Sequence, residues 1–181
     1  MTPLLLLGAL VGALLGASDT TRAPGPVRTP DLRAPRVASA LAADSVVVEK
    51  AAHRLTLYRD GRPLRTYLVA LGRNPRGDKM RRGDGRTPEG IFRIESRNPR
   101  SRYYRALRIS YPDRAHLERA TALGADPGGD IMIHGLPNGQ GGVGAAHREF
   151  DWTEGCIALT DQEIDEIWAA VADGTPIEIK P

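Results

Sequence analysis

From Asp44 onward, apolar and polar positions alternate with a period close to two, the spacing of half-buried strands. Val46-Val47-Val48, His53 to Tyr58 and Leu64 to Leu71 predict three strands, the last two joined by an Asp60-Gly61 hairpin turn. Ile91 to Ile94, Leu107 to Ile109, Ile131 to Ile133, Ile157 to Leu159 and Pro176 to Ile179 predict five more short strands. The period lengthens to that of a helix in two places. Pro112 to Leu123 predicts an amphipathic helix ended by Gly124. Thr160, with Glu163 three residues on, forms a capping box opening a second helix that places Ile164, Ile167, Trp168 and Val171 on one face. The expected fold is mainly β, a sandwich or barrel with two peripheral α-helices, and the chain contains no internal repeat.

Before Asp44 the pattern changes twice. Leu4 to Leu15 is an apolar run closed by Gly16-Ala17-Ser18, shorter than the roughly 20 residues that span a bilayer. Residues 1–18 therefore read as an export signal cleaved near Ser18, with an uncleaved amino-terminal anchor as the alternative, since no Lys or Arg precedes the run. Residues 19–43 are Pro, Ala, Arg and Thr with almost no large apolar side chain, and read as a flexible tether. Residues 44–181 are then one domain with one core, placed in the periplasm or cell envelope.

The candidate chemistry centres on Cys156, the single cysteine, so no internal disulfide can form. An isolated cysteine is commonly a small buried hydrophobe, and one of ordinary pKa is only a few per cent thiolate near neutrality. Nucleophilic use requires a partner base, and Ile133-His134-Gly135 supplies one. His147 is the rival base. Gly155 precedes the cysteine where a turn would bring backbone close to a substrate, while Ile157 and Leu159 root the next strand in the core. In the Gly-rich segment Leu136 to Trp152, Arg148 has a planar fork suited to a carboxylate, Asp151 could orient a histidine, and Trp152 and Phe150 suit packing. Thr153 is placed to bond backbone beside the thiol. The four histidines have no metal-ligand spacing, so neither a metal nor a cofactor is expected.

Ile133-His134-Gly135 followed by Thr153-x-Gly155-Cys156-Ile157, together with the upstream segment Gly83 to Phe92 containing Thr87-Pro88-Glu89-Gly90, resembles the catalytic segments of YkuD-type L,D-transpeptidases. The resemblance implies a β-rich domain that acts on peptidoglycan stem peptides. Such an enzyme attacks the carbonyl before a terminal D-Ala, releases D-alanine, and passes the acyl group to an amine acceptor, either a second stem peptide or a protein side chain. Carried over, Cys156 is the nucleophile and His134 the base, backbone at Gly155, Cys156 and Gly135 forms the oxyanion site, and Arg148, Trp152, Thr153 and His147 are substrate contacts. Acylation by carbapenem-type β-lactams and action as a monomer are expected with it. The chain departs from the family pattern at Glu154, where many members have His or Lys, and at Ala158, where Arg or Asn is common. Water as acceptor would make an L,D-carboxypeptidase, or an enzyme releasing wall-linked groups. A buried Cys156 would leave a wall-binding module without catalysis.

Charge adds one further division. Residues 73–108 carry twelve basic and four acidic side chains, whereas residues 111–181 carry four basic and thirteen acidic. The basic stretch suits an anionic envelope polymer or a solvated face. Nucleic acid is a poor partner, because no set of aromatics interleaves with the basic residues. Asn74 to Gly85 reads as a mobile loop.

Overall fold

The computed structural model describes residues 42–181; the expected export signal and nearly all of the expected tether lie outside them. Ala43 already joins the folded unit, donating its N–H to the Ala170 carbonyl at 2.8 Å and bridging to Val171. Among the described residues, no helix is long and apolar enough to cross a membrane.

Period-two alternation builds β1 (Ser45–Glu49), β2 (Arg54–Arg59) and β3 (Arg62–Leu68). Asp60 and Gly61 close the β2–β3 hairpin with φ of 51° and 71°, the two positive values of a type I′ turn. The remaining strands are β4 (Gly90–Ser101), β5 (Tyr104–Ile109), β6 (Met132–His134), β7 (Ile157–Ala158) and β8 (Pro176–Lys180). Together they form an eight-stranded sheet in the order β3-β2-β1-β8-β4-β5-β6-β7. The β1–β8 and β6–β7 pairs are parallel and the rest antiparallel. β4 pairs with β8 up to Arg93 and with β5 from Ile94, so one long strand joins the two halves.

The mainly β expectation holds, with two corrections of extent. β4 continues through the polar run Glu95–Ser101, which has no apolar alternation and is kept extended by pairing with β5. β3 stops at Leu68, and the buried Val69-Ala70-Leu71 leaves it so that Ala70 can bridge to Ala158.

Both expected helices form. α1 (Arg114–Ala122) begins after Asp113, whose carboxylate accepts the His116 N–H as N-cap. α2 (Asp161–Ala170) opens with the complete Thr160–Glu163 capping box. Val171, expected on its apolar face, is an extended C-cap, buried where it bridges to Ala43. A third helical segment, the 3-10 stretch Gly141–Glu149 kinked at Gly144, was not expected, because its Gly-rich sequence carries no period.

Leu107, Ile133 and Ile157 face one another across β5, β6 and β7, each fully buried, and Ile164 and Ile167 of α2 join the same core. Full burial of each such side chain contributes about 1.5–3 kcal/mol. The rows on either side of His134 are thereby fixed.

Candidate active site

The sheet register places His134 in a row of small residues. It pairs with Ala106 on β5 and Ala158 on β7, and Ala158 pairs in turn with Ala70 through bonds of 3.0 and 2.8 Å. Alanine on both sides leaves room for the imidazole within the sheet. It also accounts for Ala158: that position is fully buried, with no room for Arg or Asn.

His134 is 3 % exposed, and its Nδ1 lies 2.7 Å from the Gly135 carbonyl. A carbonyl only accepts, so Nδ1 carries the proton and Nε2 of the neutral ring keeps its lone pair. Burial lowers the His134 pKa to about 4, against the opposing pull of the Gly135 carbonyl. Tyr103 and Trp152 pack on the ring at centroid distances of 4.5 and 5.8 Å.

Cys156 immediately precedes β7, and the alternation of a strand puts it on the face shared by Ala158 and His134. Thr153 Oγ1 donates to the Cys156 carbonyl at 2.8 Å and accepts the Gly155 N–H at 3.1 Å, closing the turn that presents the thiol. Gly155 has φ of 130°, and a Cβ there would lie 2.5 Å from the Arg86 carbonyl oxygen. Only glycine fits. The sulfur lies 3.5 Å from the Asp130 carbonyl. Burial pushes the Cys156 thiol up, the Met132 N–H and Lys79 ammonium pull it down, and Asp130 adds to the rise. Burial thus disfavours the charged form of both groups, raising the thiol and lowering the imidazole.

Two of the three expected oxyanion donors are already used within the fold. Gly155 N–H goes to Thr153, and Gly135 N–H is shared between the Tyr103 and Arg105 carbonyls at 3.2 Å each. Cys156 N–H has no partner among the described residues, and is the donor left free.

The segment expected as a mobile loop is instead bound from within. Asp84 accepts Lys79 Nζ at 2.8 Å and the N–H groups of Met80, Arg81 and Arg86 at 2.8, 3.0 and 3.0 Å. Despite the upward push of burial, these bonds lower the Asp84 pKa to about 2. Lys79 is thereby buried, and with Arg82, Gly83, Gly128, Gly129 and Glu154 it lines a cavity of about 240 Å³ beside the Cys156 turn. Glu154 pairs with Arg73 at 2.6 Å, which offsets the negative charge it brings next to the thiol.

The other expected site residues have mixed placements. His147 is buried, not solvated: Trp152 Nε1–H donates to its Nδ1 at 3.4 Å, and it lines an apolar cavity of about 260 Å³ with Leu136, Val143, Phe150 and Trp152. Arg148 is largely buried and paired with Glu163 of α2, so its fork is committed to holding the 3-10 segment and not offered to a substrate. Asp151 orients a histidine, but it is His53, at 2.9 Å. Sequence reasoning missed Tyr103, Lys79 and Asp161; the last accepts the Leu136 N–H at 2.9 Å and steadies the backbone after His134. The order of the Lys79-to-Glu89 stretch comes from the hydrogen bonds of Asp84, which nothing in its sequence signals.

The profile of the YkuD L,D-transpeptidase catalytic domain matches residues 43–179. The YafK protein of Escherichia coli strain K12, assigned by name to the L,D-transpeptidases, is 33% identical over 114 residues, 60% of this chain and 37% of that protein. The crystal structure of the helical cell shape determining protein Pgp2 from Campylobacter jejuni superposes with a TM-score of 0.58 at 28% identity, covering 76% of this chain and 48% of that one. Bd1075 of Bdellovibrio bacteriovorus shares the fold with a TM-score of 0.54 at 22% identity, over 78% of this chain and 49% of that one. The chain thus spans half or less of the length of these relatives.

Proposed function

The chain belongs to the YkuD-type L,D-transpeptidase catalytic domain family, and from that premise we propose that it is a cysteine-dependent peptidoglycan L,D-transpeptidase. The observation that carries the reading is the commitment of His134 Nδ1–H to the Gly135 carbonyl, on the sheet face that Cys156 shares. That bond leaves Nε2 as a base toward the thiol.

In this mechanism Nε2 takes the Cys156 proton as sulfur attacks the carbonyl of the stem tetrapeptide. The tetrahedral oxyanion accepts the free Cys156 N–H. His134 then gives its proton to the departing D-Ala amine, leaving a thioester. An amine acceptor, deprotonated by the same Nε2, attacks the thioester and releases the cross-linked product and the thiol. Burial that disfavours both charged forms suits this order, because the proton moves only as the bond forms. We seat the stem peptide over the cavity beside the turn, where the exposed Arg82 and Glu154 lie at its edge. Trp152 acts by packing His134, and Thr153 by holding the turn. We place the enzyme in the periplasm or envelope, and from its likeness to Pgp2 assign it to the wall remodelling that sets cell shape.

Incubating the wild type and Cys156→Ala with disaccharide-tetrapeptide fragments tests the proposal. Cysteine-dependent dimers with loss of D-alanine are expected. Tripeptide alone would make the same thioester serve a hydrolase, and no change with wild type would return the fold to a wall-binding role.

A further inference from the structure

We propose that His116 is a positioning residue for the Cys156 site: donating from both ring nitrogens, it ties the start of α1 to the segment Gly77–Glu89 and holds Lys79 at the wall of the site.

His116 is 5 % exposed, far from the sheet face of His134 in sequence and with no role in the acyl transfer. Its Nδ1 lies 2.6 Å from Asp113 Oδ1 and its Nε2 lies 3.2 Å from Asp78 Oδ1. Carboxylate oxygens only accept, so both ring nitrogens donate only in the doubly protonated ring. A neutral ring would aim one lone pair at a carboxylate. Against the upward push of burial, Asp78 is held below the usual carboxylate range by the Glu89 N–H and then His116, and Asp113 by the His116 backbone and ring. Both acceptors therefore stay ionised.

The remaining groups around the ring are few. Arg119 on the same helix pairs with the other Asp78 oxygen, Phe92 and Tyr111 pack at 5.6 and 4.9 Å, and the Tyr111 hydroxyl is directed to the Pro127 carbonyl. The charged groups bonded to the ring are Asp113 and Asp78, and Arg119 shares Asp78 with it.

What Asp78 holds is the link to the thiol. Its Oδ1 also accepts the N–H groups of Lys79 at 2.7 Å and Glu89 at 2.8 Å, fixing both ends of the segment. Between them, Asp84 gathers Lys79 Nζ and Arg86 N–H, and the Arg86 carbonyl lies against Gly155. Loss of one His116 donor loosens Asp78, and with it the lysine that favours the thiolate.

The inference rests on reading Cys156 as the reactive thiol, and iodoacetamide alkylation of the full chain across pH tests it without any wall substrate. His116→Phe keeps the ring packing and removes both donors. Asp113→Asn keeps a good N-cap while removing the charge facing Nδ1. In His116→Phe the alkylation midpoint should move to higher pH, slowing the reaction at neutral pH by about threefold, the factor carried by roughly half a pKa unit. Asp113→Asn should shift it the same way by less. A folded His116→Phe with an unchanged midpoint, even at a lower melting temperature, would reduce His116 to packing and overturn the inference. If that variant does not fold, an unchanged midpoint in Asp113→Asn decides in the same sense. A wild-type thiol inert at every pH would remove the nucleophile reading and this inference together.

Discussion

Thr153 and Cys156 are joined by a 2.8 Å bond from hydroxyl to carbonyl, and the same hydroxyl oxygen receives the Gly155 N–H at 3.1 Å. One buried side chain thus fixes both ends of the turn that carries the thiol. Thr153→Val keeps the branched shape and removes both bonds, at about 1–3 kcal/mol for each polar group left unpaired. It should lower the melting temperature and cut kcat/KM more than about tenfold, whereas Thr153→Ser should stay within about threefold. Equal activity in the two variants would mean the turn is held by its backbone alone.

His134 makes stability depend on pH in a definite direction. Its pKa falls from 6.5 unfolded to about 4 folded, so the native state binds fewer protons between those values. Stability from this group is fully present above 6.5 and is lost as pH falls toward 4, by about 3 kcal/mol. Denaturant titrations of the wild type and His134→Gln should differ by that much in the change between pH 7 and pH 4. The acid limb of kcat/KM should fall near pH 4, well below that of an ordinary histidine. Parallel stability curves would show that the ring is not buried neutral.

How much of this was legible in the sequence depends on where the information resides. Val46, Val48, Leu55 and Leu57 announced their strands because one face of each is buried. The Thr160–Glu163 box announced α2 because capping is local. Cys156 and His134 stood out as candidates because their residue types and flanking motifs are rare together. Long-range polar bonds left no such trace. Arg148 looked like a free guanidinium until Glu163 met it, and Lys79 looked like one basic residue among many until Asp84 enclosed it. A backbone N–H is likewise silent in sequence, and only the fold shows that those of Gly155 and Gly135 are bonded internally while that of Cys156 is not.

Gly155→Ala should be among the most damaging single changes. Its φ of 130° lies outside the range of L side chains, and the new Cβ would sit 2.5 Å from a backbone oxygen of Arg86. The conformational strain alone is worth on the order of 1–3 kcal/mol, and neither backbone can yield cheaply. Thermal unfolding should drop sharply, and any folded fraction should alkylate slowly at Cys156. Wild-type reactivity in this variant would contradict the turn geometry.

Arg148→Met separates packing from recognition. The guanidinium pairs with Glu163 at partial burial, so its loss should reduce stability by about 1 kcal/mol, discounted for screening, while the Thr160 cap remains. KM for a tetrapeptide substrate should change less than about twofold, since no interaction with substrate is removed. A tenfold rise in KM with unchanged stability would restore Arg148 as a substrate contact.

A carbapenem reports on the first half of the reaction alone. Attack by Cys156 on the β-lactam carbonyl opens the ring, and the amine leaving group stays tethered, so the thioester should persist with the mass of the intact inhibitor added. Cys156→Ala should show no adduct. His134→Ala should slow its formation by roughly 10²–10⁴-fold, the range of a positioned general base. His147→Phe should leave the rate nearly unchanged, because His147 bonds to Trp152 and has no contact with the sulfur. If His147→Phe lost acylation while His134→Ala retained it, the base would be His147, and the free Nε2 of His134 would need another purpose.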